Sequence, residues 1–97
     1  MFGSCFRIRP KAGKFEALMA VIERQRAERG SARGLVRSYV LRESNGDVWV
    51  MAVFESEEAY RKNAASPEQD KSYREMRELM EADPEWHDGS VIEELPA

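Results

Sequence analysis

Apolar and polar residues alternate along residues 2–9 of the chain. Phe2, Ser4, Phe6 and Ile8 share one side, and Gly3, Cys5, Arg7 and Arg9 the other. A period of two predicts a strand, which Pro10 and Gly13 end. The period then lengthens. Phe15, Leu18, Met19 and Ile22 fall at i, i+3, i+4 and i+7, one stripe of an amphipathic helix over residues 11–29. Gly30 and Gly34 follow, where a left-handed C-terminal cap is expected. Residues 35–42 and 48–55 are rich in β-branched and aromatic side chains and read as two strands. Asn45-Gly46 between them suits a two-residue type I′ turn, in which both central residues take positive φ. Ser56 is placed to cap a short helix over residues 57–65. Ser66-Pro67-Glu68-Gln69 repeats the signal, with Ser66 as cap, Pro67 at the first helical position and Gln69 closing a capping box. That helix is expected to reach about residue 82. Tyr73, Met76 and Met80 lie on its apolar stripe with Leu79 beside them, and Asp83-Pro84 stops it. Asp88-Gly89 reads as a turn before a last strand over residues 91–95.

The order β-α-β-β-α-α-β is that of a split βαβ, ferredoxin-like α+β domain with a four-stranded antiparallel sheet. The two-residue turn sets a hairpin register with Ser44 opposite Asp47, Arg42 opposite Trp49, Val40 opposite Met51 and Ser38 opposite Val53. One sheet face then carries Leu35, Arg37, Tyr39, Leu41, Val48, Val50, Ala52 and Phe54. The other carries Val36, Ser38, Val40, Arg42, Trp49, Met51, Val53 and Glu55. Both are mostly apolar, whereas a one-sided antiparallel sheet shows a polar outer face. Helices cover one face in this topology, so a second copy of the chain is expected on the other, as a homodimer.

Composition narrows the function classes. The chain of 97 residues reads as one domain over 1–97, with a net charge of −3. Fifteen basic residues against eighteen acidic ones make no basic stripe, so nucleic acid is not the expected partner. No apolar run approaches the roughly 20 residues that cross a membrane. The first residues are too polar for a signal peptide. A single cysteine, Cys5, excludes an internal disulfide. A reducing, cytoplasmic location is the expectation. The sequence holds no glycine-rich phosphate loop, no G-x-S-x-G elbow and no Cys/His cluster, so nucleotide, serine-hydrolase and zinc chemistries find no support, and no cofactor or metal is expected.

Several residues carry candidate chemistry. His87 is the only histidine and the one side chain that ordinarily changes charge near neutrality. It is a candidate for proton transfer, or else a hydrogen-bonded loop residue beside Trp86 and Asp88. Asn63 falls on the inward stripe of its helix, where an amide needs a partner: a ligand oxygen or a backbone group. Arg37 and Tyr39 lie two apart on one sheet face and suit an anionic oxygen, or an interface. Tyr73 is a candidate for proton transfer or a core residue with a polar tip. Phe6 and Trp86 offer aromatic surface to a ligand, or act as packing anchors. Cys5 shares a face with Arg7, whose charge favours a thiolate, but no base is visible near it.

The hairpin and the run Val53-Phe54-Glu55-Ser56-Glu57-Glu58-Ala59-Tyr60 resemble the antibiotic biosynthesis monooxygenase (ABM) group of dimeric α/β-barrel proteins. So do the segments Asn63-Ala64-Ala65-Ser66-Pro67-Glu68-Gln69-Asp70 and Asp83-Pro84-Glu85-Trp86-His87-Asp88-Gly89. The resemblance implies a ferredoxin-like protomer, a dimer whose two sheets form a barrel, and a pocket between helices and sheet. Some members oxidise aromatic phenols or anthrones to quinones with molecular oxygen and no metal or flavin. Others degrade haem or handle quinols, and many have no established activity. The positions that in the haem-degrading branch hold Asn, Trp and His fall on Phe6, Asn63 and Tyr73, so haem degradation is disfavoured. Asn63, Tyr73, Tyr39 and Arg37 match the residue types of the quinone-forming branch without a one-to-one alignment. The expected function is therefore a cofactor-independent monooxygenase acting on a small aromatic, phenolic or quinol-type molecule. Catalysis would fall to His87, Tyr73 and Asn63, and substrate contacts to Arg37, Tyr39, Phe6 and Trp86. The alternatives are a non-catalytic, small-molecule-binding or stress-related dimer, and a structural module whose own side chains fill the pocket.

Overall fold

A computed structural model describes residues 1–29 and 32–96. Its elements are β1 (Phe2–Ile8), α1 (Phe15–Arg29), β2 (Leu35–Arg42), β3 (Val48–Phe54), α2 (Glu57–Ala64), α3 (Pro67–Arg77) and β4 (Glu85–Ser90). The four strands form one antiparallel sheet in the order β2-β3-β1-β4. This is the expected ferredoxin-like arrangement: β1 and β2 flank β3, and α1 crosses between them.

The helices begin where the capping residues stand. Ser56 Oγ accepts from the Ala59 N–H and Ser66 Oγ from the Gln69 N–H, both at 3.1 Å. Pro67 opens α3, where its missing N–H costs nothing. α1 starts at Phe15 rather than at residue 11, because Pro10 pairs with Met80 and the Lys11 N–H donates to the Leu79 carbonyl at 2.8 Å. The same bridge ends α3 at Arg77 rather than near residue 82. The Leu79 and Met80 N–H groups tighten onto Met76 and Arg77, and the Glu81 N–H then donates to Arg9. Of the two expected cap glycines, Gly30 lies outside the described residues. Gly34 has φ +83°, and a Cβ there would stand 2.7 Å from that of Ala59.

The hairpin register differs from the expected one by a single residue. Arg42 pairs with Val48, Val40 with Val50 and Ser38 with Ala52. The loop has three residues, not two. The Glu43 N–H donates to the Asp47 carbonyl at 2.8 Å and the Gly46 N–H to the Glu43 carbonyl at 2.9 Å. Gly46 alone takes positive φ, +94°, as in a type I turn closed by a left-handed glycine. Asn45 serves the loop through its side chain, Oδ1 accepting from the Asp47 N–H at 2.9 Å. A one-residue slip moves every side chain of a strand to the opposite face. Val40 and Arg42 therefore join the helix side, where the Arg42 guanidinium lies 3.7 Å from the Phe15 ring centre. Arg37, Tyr39 and Leu41 join Trp49, Met51 and Val53 on the open side. A β-bulge at Val36 shifts the pairing again, so that Leu35 pairs with Phe54.

β4 occupies Glu85–Ser90, not residues 91–95. Asp88-Gly89 lies inside the strand, opposite Ser4 and Gly3. The apolar stretch after it leaves the sheet once the Val91 N–H has donated to the Met1 carbonyl, and Ile92 is 96% exposed. The core sits between α1, the end of α3 and the sheet. Ile8, Leu18, Val48 and Met80 are completely buried, with Phe6, Phe15, Ile22, Val50 and Met76 packed around them. A second apolar cluster joins Phe2, Phe54 and Tyr60, with ring centres 5.2 and 5.5 Å from Tyr60. No helix among the described residues is long and apolar enough to cross a membrane.

Candidate active site

The sheet divides the predicted site residues into two groups. On the helix side, Phe6 of β1 and Trp86 of β4 are register partners and pack with ring centres 4.2 Å apart. Tyr73 of α3 approaches the outer side of Trp86, with ring centres at 6.1 Å. Asn63 comes from the last turn of α2. Asn63, Tyr73 and Trp86 stand around a cleft of about 630 Å³ between α2, α3 and the start of β4, lined also by Tyr60, Asp83 and Pro84, while Phe6 is not among its lining residues. A cleft of this size lies within the range of small-molecule sites. The Asn63 amide makes no hydrogen bond to a described residue, although its main-chain carbonyl accepts from Ser66.

Arg37, Tyr39 and His87 lie on the opposite face. Arg37 Nη1 donates to Tyr39 Oη at 3.3 Å, and both line a groove of about 680 Å³ with Met1, Val53, Glu94 and Leu95. His87 is the register partner of Cys5, with Nε2 3.6 Å from Glu85 Oε1 and its side chain 58% exposed. The whole sheet therefore separates these three residues from Asn63, Tyr73, Phe6 and Trp86.

Two tyrosine–carboxylate pairs flank the helix-side cleft. Tyr73 donates to Asp83 Oδ1 at 3.0 Å, and Arg77 Nε donates to the same oxygen at 2.7 Å. The guanidinium, followed by the phenol, holds the Asp83 carboxyl below the usual carboxylate range. Burial, with the neighbouring Asp83, pushes the Tyr73 phenol up. Tyr60 donates to Asp88 Oδ2 at 3.1 Å, and the buried Ser4 hydroxyl donates to Asp88 Oδ1 at 2.6 Å. The Tyr60 phenol is also pushed up, first by burial and further by Asp88, against the opposing effect of Ser4. Both phenols are thus neutral donors at physiological pH, each with lone pairs left to accept from a ligand.

Sequence reading missed Tyr60, Asp83, Asp88 and Ser4. Ser4 carried a signal, since a hydroxyl between Phe2 and Phe6 on a buried stripe needs a partner. Asp88 was hidden by its Gly neighbour, which gave the pair the look of a turn.

A family profile for antibiotic biosynthesis monooxygenases matches residues 1–75. The chain belongs to that family. No curated protein matches the sequence. Among solved structures the chain is similar to a variant of SnoaB, a cofactor-independent oxygenase from Streptomyces nogalater, at 22% identity and TM-score 0.83, covering 99% of this chain and 97% of that one. It is similar to Rv0793 from Mycobacterium tuberculosis at 14% identity and TM-score 0.82, with 98% of each chain covered. A conserved protein from Methanosarcina mazei matches at 12% identity and TM-score 0.78, over 90% of this chain and 88% of that one. At these identities the structures establish the ABM fold for this chain, which is the α+β sheet-and-helix arrangement described above. Among the described residues, no group of three or more His, Cys, Asp or Glu side chains stands close enough together to hold a metal ion.

Proposed function

We propose that this ABM-family chain is a cofactor-independent oxygenase that oxidises a small aromatic phenol, anthrone or quinol in the helix-side cleft. The observation that carries the reading is that cleft: aromatic walls from Trp86 and Tyr73, with hydroxyls and the Asn63 amide at its edges. SnoaB, with the same fold, lends support as a cofactor-independent oxygenase. The chemistry asks little of a protein. Once an electron-rich aromatic has lost a proton, its anion can reduce dioxygen directly. For an anthrone, one oxygen atom becomes the new carbonyl and the other leaves as water with the two methylene hydrogens. The protein must hold the ring plane, steer the oxygens, assist the proton and keep bulk water away. Trp86, backed by Phe6, would supply the plane, while Tyr73 and Asn63 would hold the substrate's oxygens.

The test is anthrone oxidation in air, followed by oxygen uptake and by quinone absorbance, with a chelator present. Turnover above the buffer rate is expected. Tyr73→Phe should lower kcat/KM about tenfold, the usual worth of one positioned hydrogen bond. His87→Ala, on the other face, should leave it within twofold. A rate equal to buffer would remove the oxygenase reading, and binding without turnover would favour a carrier of the same molecules. We further propose that the open sheet face pairs with a second copy of the chain. Tyr39, Leu41 and Met51 are 57%, 57% and 47% exposed there, in a patch that a lone protomer would leave in water.

A further inference from the structure

The two tyrosine–carboxylate pairs differ in one respect that bears on which of them takes the proton. At Asp83, Arg77 already holds the carboxylate, so a proton arriving there must break an ion pair. At Asp88 the donors are two neutral hydroxyls, Ser4 and Tyr60, and no cation pairs with it among the described residues. Both partners are fixed. Ser4 is buried in β1 with its hydroxyl aimed along the register at Asp88. The Tyr60 ring packs against Phe2 and Phe54, and Tyr60 is one of the residues lining the cleft.

From this geometry we infer that Tyr60 is the proton-accepting residue of the cleft and that Asp88, acting through it, is the terminal base. The inference rests on the oxygenase reading above and adds the direction of proton flow to it. In the step, a substrate O–H or C–H bond breaks and its electron pair stays in the ring system. Tyr60 Oη takes the proton and passes its own to Asp88 Oδ2. The neutral carboxyl later gives that proton to the oxygen atom that leaves as water. A phenol losing O–H and the corresponding anthrone losing C–H give the same delocalised anion, so one relay serves both. Dioxygen, the co-substrate of the proposed reaction, then takes the electrons. Ser4 keeps the carboxylate aligned in both protonation states, because Oδ1 accepts from its hydroxyl whether Oδ2 is ionised or protonated.

Other charged and titratable groups around the relay come from every packed element. From α2, the Arg61 guanidinium lies 5.9 Å from the Tyr60 ring centre and is paired with Glu57. From α3 and the loop after it come Asp70, Tyr73, Arg77 and Asp83. β1 and β3 turn only Phe2, Ser4, Phe6, Ile8, Val48, Val50, Ala52 and Phe54 to this side. Among them the nearer acceptor for the Tyr60 hydroxyl is Asp88 Oδ2, at 3.1 Å, with Ser4 Oγ at 3.5 Å, and only Asp88 is a base.

The experiment is the pH profile of anthrone oxidation in the full chain. Wild-type kcat should be flat through the neutral range. In Asp88→Asn and Tyr60→Phe, kcat at neutral pH should fall tenfold or more, the usual worth of a positioned general base, and then rise about tenfold per pH unit as hydroxide replaces the relay. Asp88→Glu should restore part of the flat region. Asp83→Asn should lower the rate without adding that slope. Circular dichroism and thermal unfolding confirm that each variant is folded. A flat profile in folded Asp88→Asn and Tyr60→Phe would overturn the relay while leaving the oxygenase intact. An inactive wild type would overturn both.

Discussion

Asp47 illustrates how one side chain can set the geometry of a strand junction. Its carboxylate is buried beneath the hairpin loop and accepts from Arg9 Nε and Nη2 at 3.2 and 3.3 Å and from Asn45 Nδ2 at 3.4 Å. Arg9, through its hydrogen bond and its charge, holds the acid below the ordinary carboxylate value against the effect of burial. The folded pKa is lower than the unfolded one, so the stabilisation is complete above the unfolded value. It is lost as pH falls through the folded value. Thermal unfolding followed from neutral pH into acid should show this loss, and Asp47→Asn should be less stable at neutrality with a shallower acid limb. At this scale the sequence was partly legible. The capping roles of Ser56 and Ser66 follow from residue type and spacing alone. The partners of Ser4 and Asp88 do not, because they lie 84 residues apart and meet only through strand pairing.

At the scale of elements, strands and helices were legible wherever periodicity and caps agreed, and misplaced where a tertiary contact overrode them. The Pro10–Met80 bridge trims both α1 and α3, and nothing local in either segment announces it. β4 was hidden because edge strands tolerate glycine and charge, while the more strand-like Val91-Ile92 has no partner strand left to join. The hairpin is the instructive case. Asn-Gly is compatible with a two-residue loop or a three-residue loop, and these differ by one residue of register. That residue decides whether Arg37 and Tyr39 face the helices or the open side. The glycines at the two turns are expected to differ in importance. Gly46→Ala meets open space, so it should cost only the left-handed backbone penalty, about 1–2 kcal/mol. Gly34→Ala adds a collision with Ala59 to the same penalty and should cost more, on the order of 2–4 kcal/mol. Urea denaturation of the two variants checks the order.

For the whole molecule, the sheet acts as a partition. Its helix side holds the cleft and its open side holds an apolar patch, and the candidate residues read from the sequence fall on both. The sequence identified both faces as apolar, but the residues on each could be assigned only once the loop length was known. If the open side joins two copies, a charge placed there should separate them without disturbing the cleft. Met51→Glu should convert a dimer to a monomer in sedimentation equilibrium, because burying an unpaired carboxylate opposes association by several kcal/mol. A wild-type protein that sediments as a monomer would overturn the dimer reading.

The bulge at Val36 also bears on how this protein fails to assemble. β2 is an outer strand, and its unbonded edge is a template on which a strand from another molecule could pair. A newcomer running along it would meet the extra residue between Leu35 and Arg37 and lose step, with Arg37 and Arg42 adding charge repulsion against an identical strand. Growth edge to edge is thereby discouraged, while stacking face to face is left open. Crowded copies of this chain should therefore form small closed particles rather than fibres.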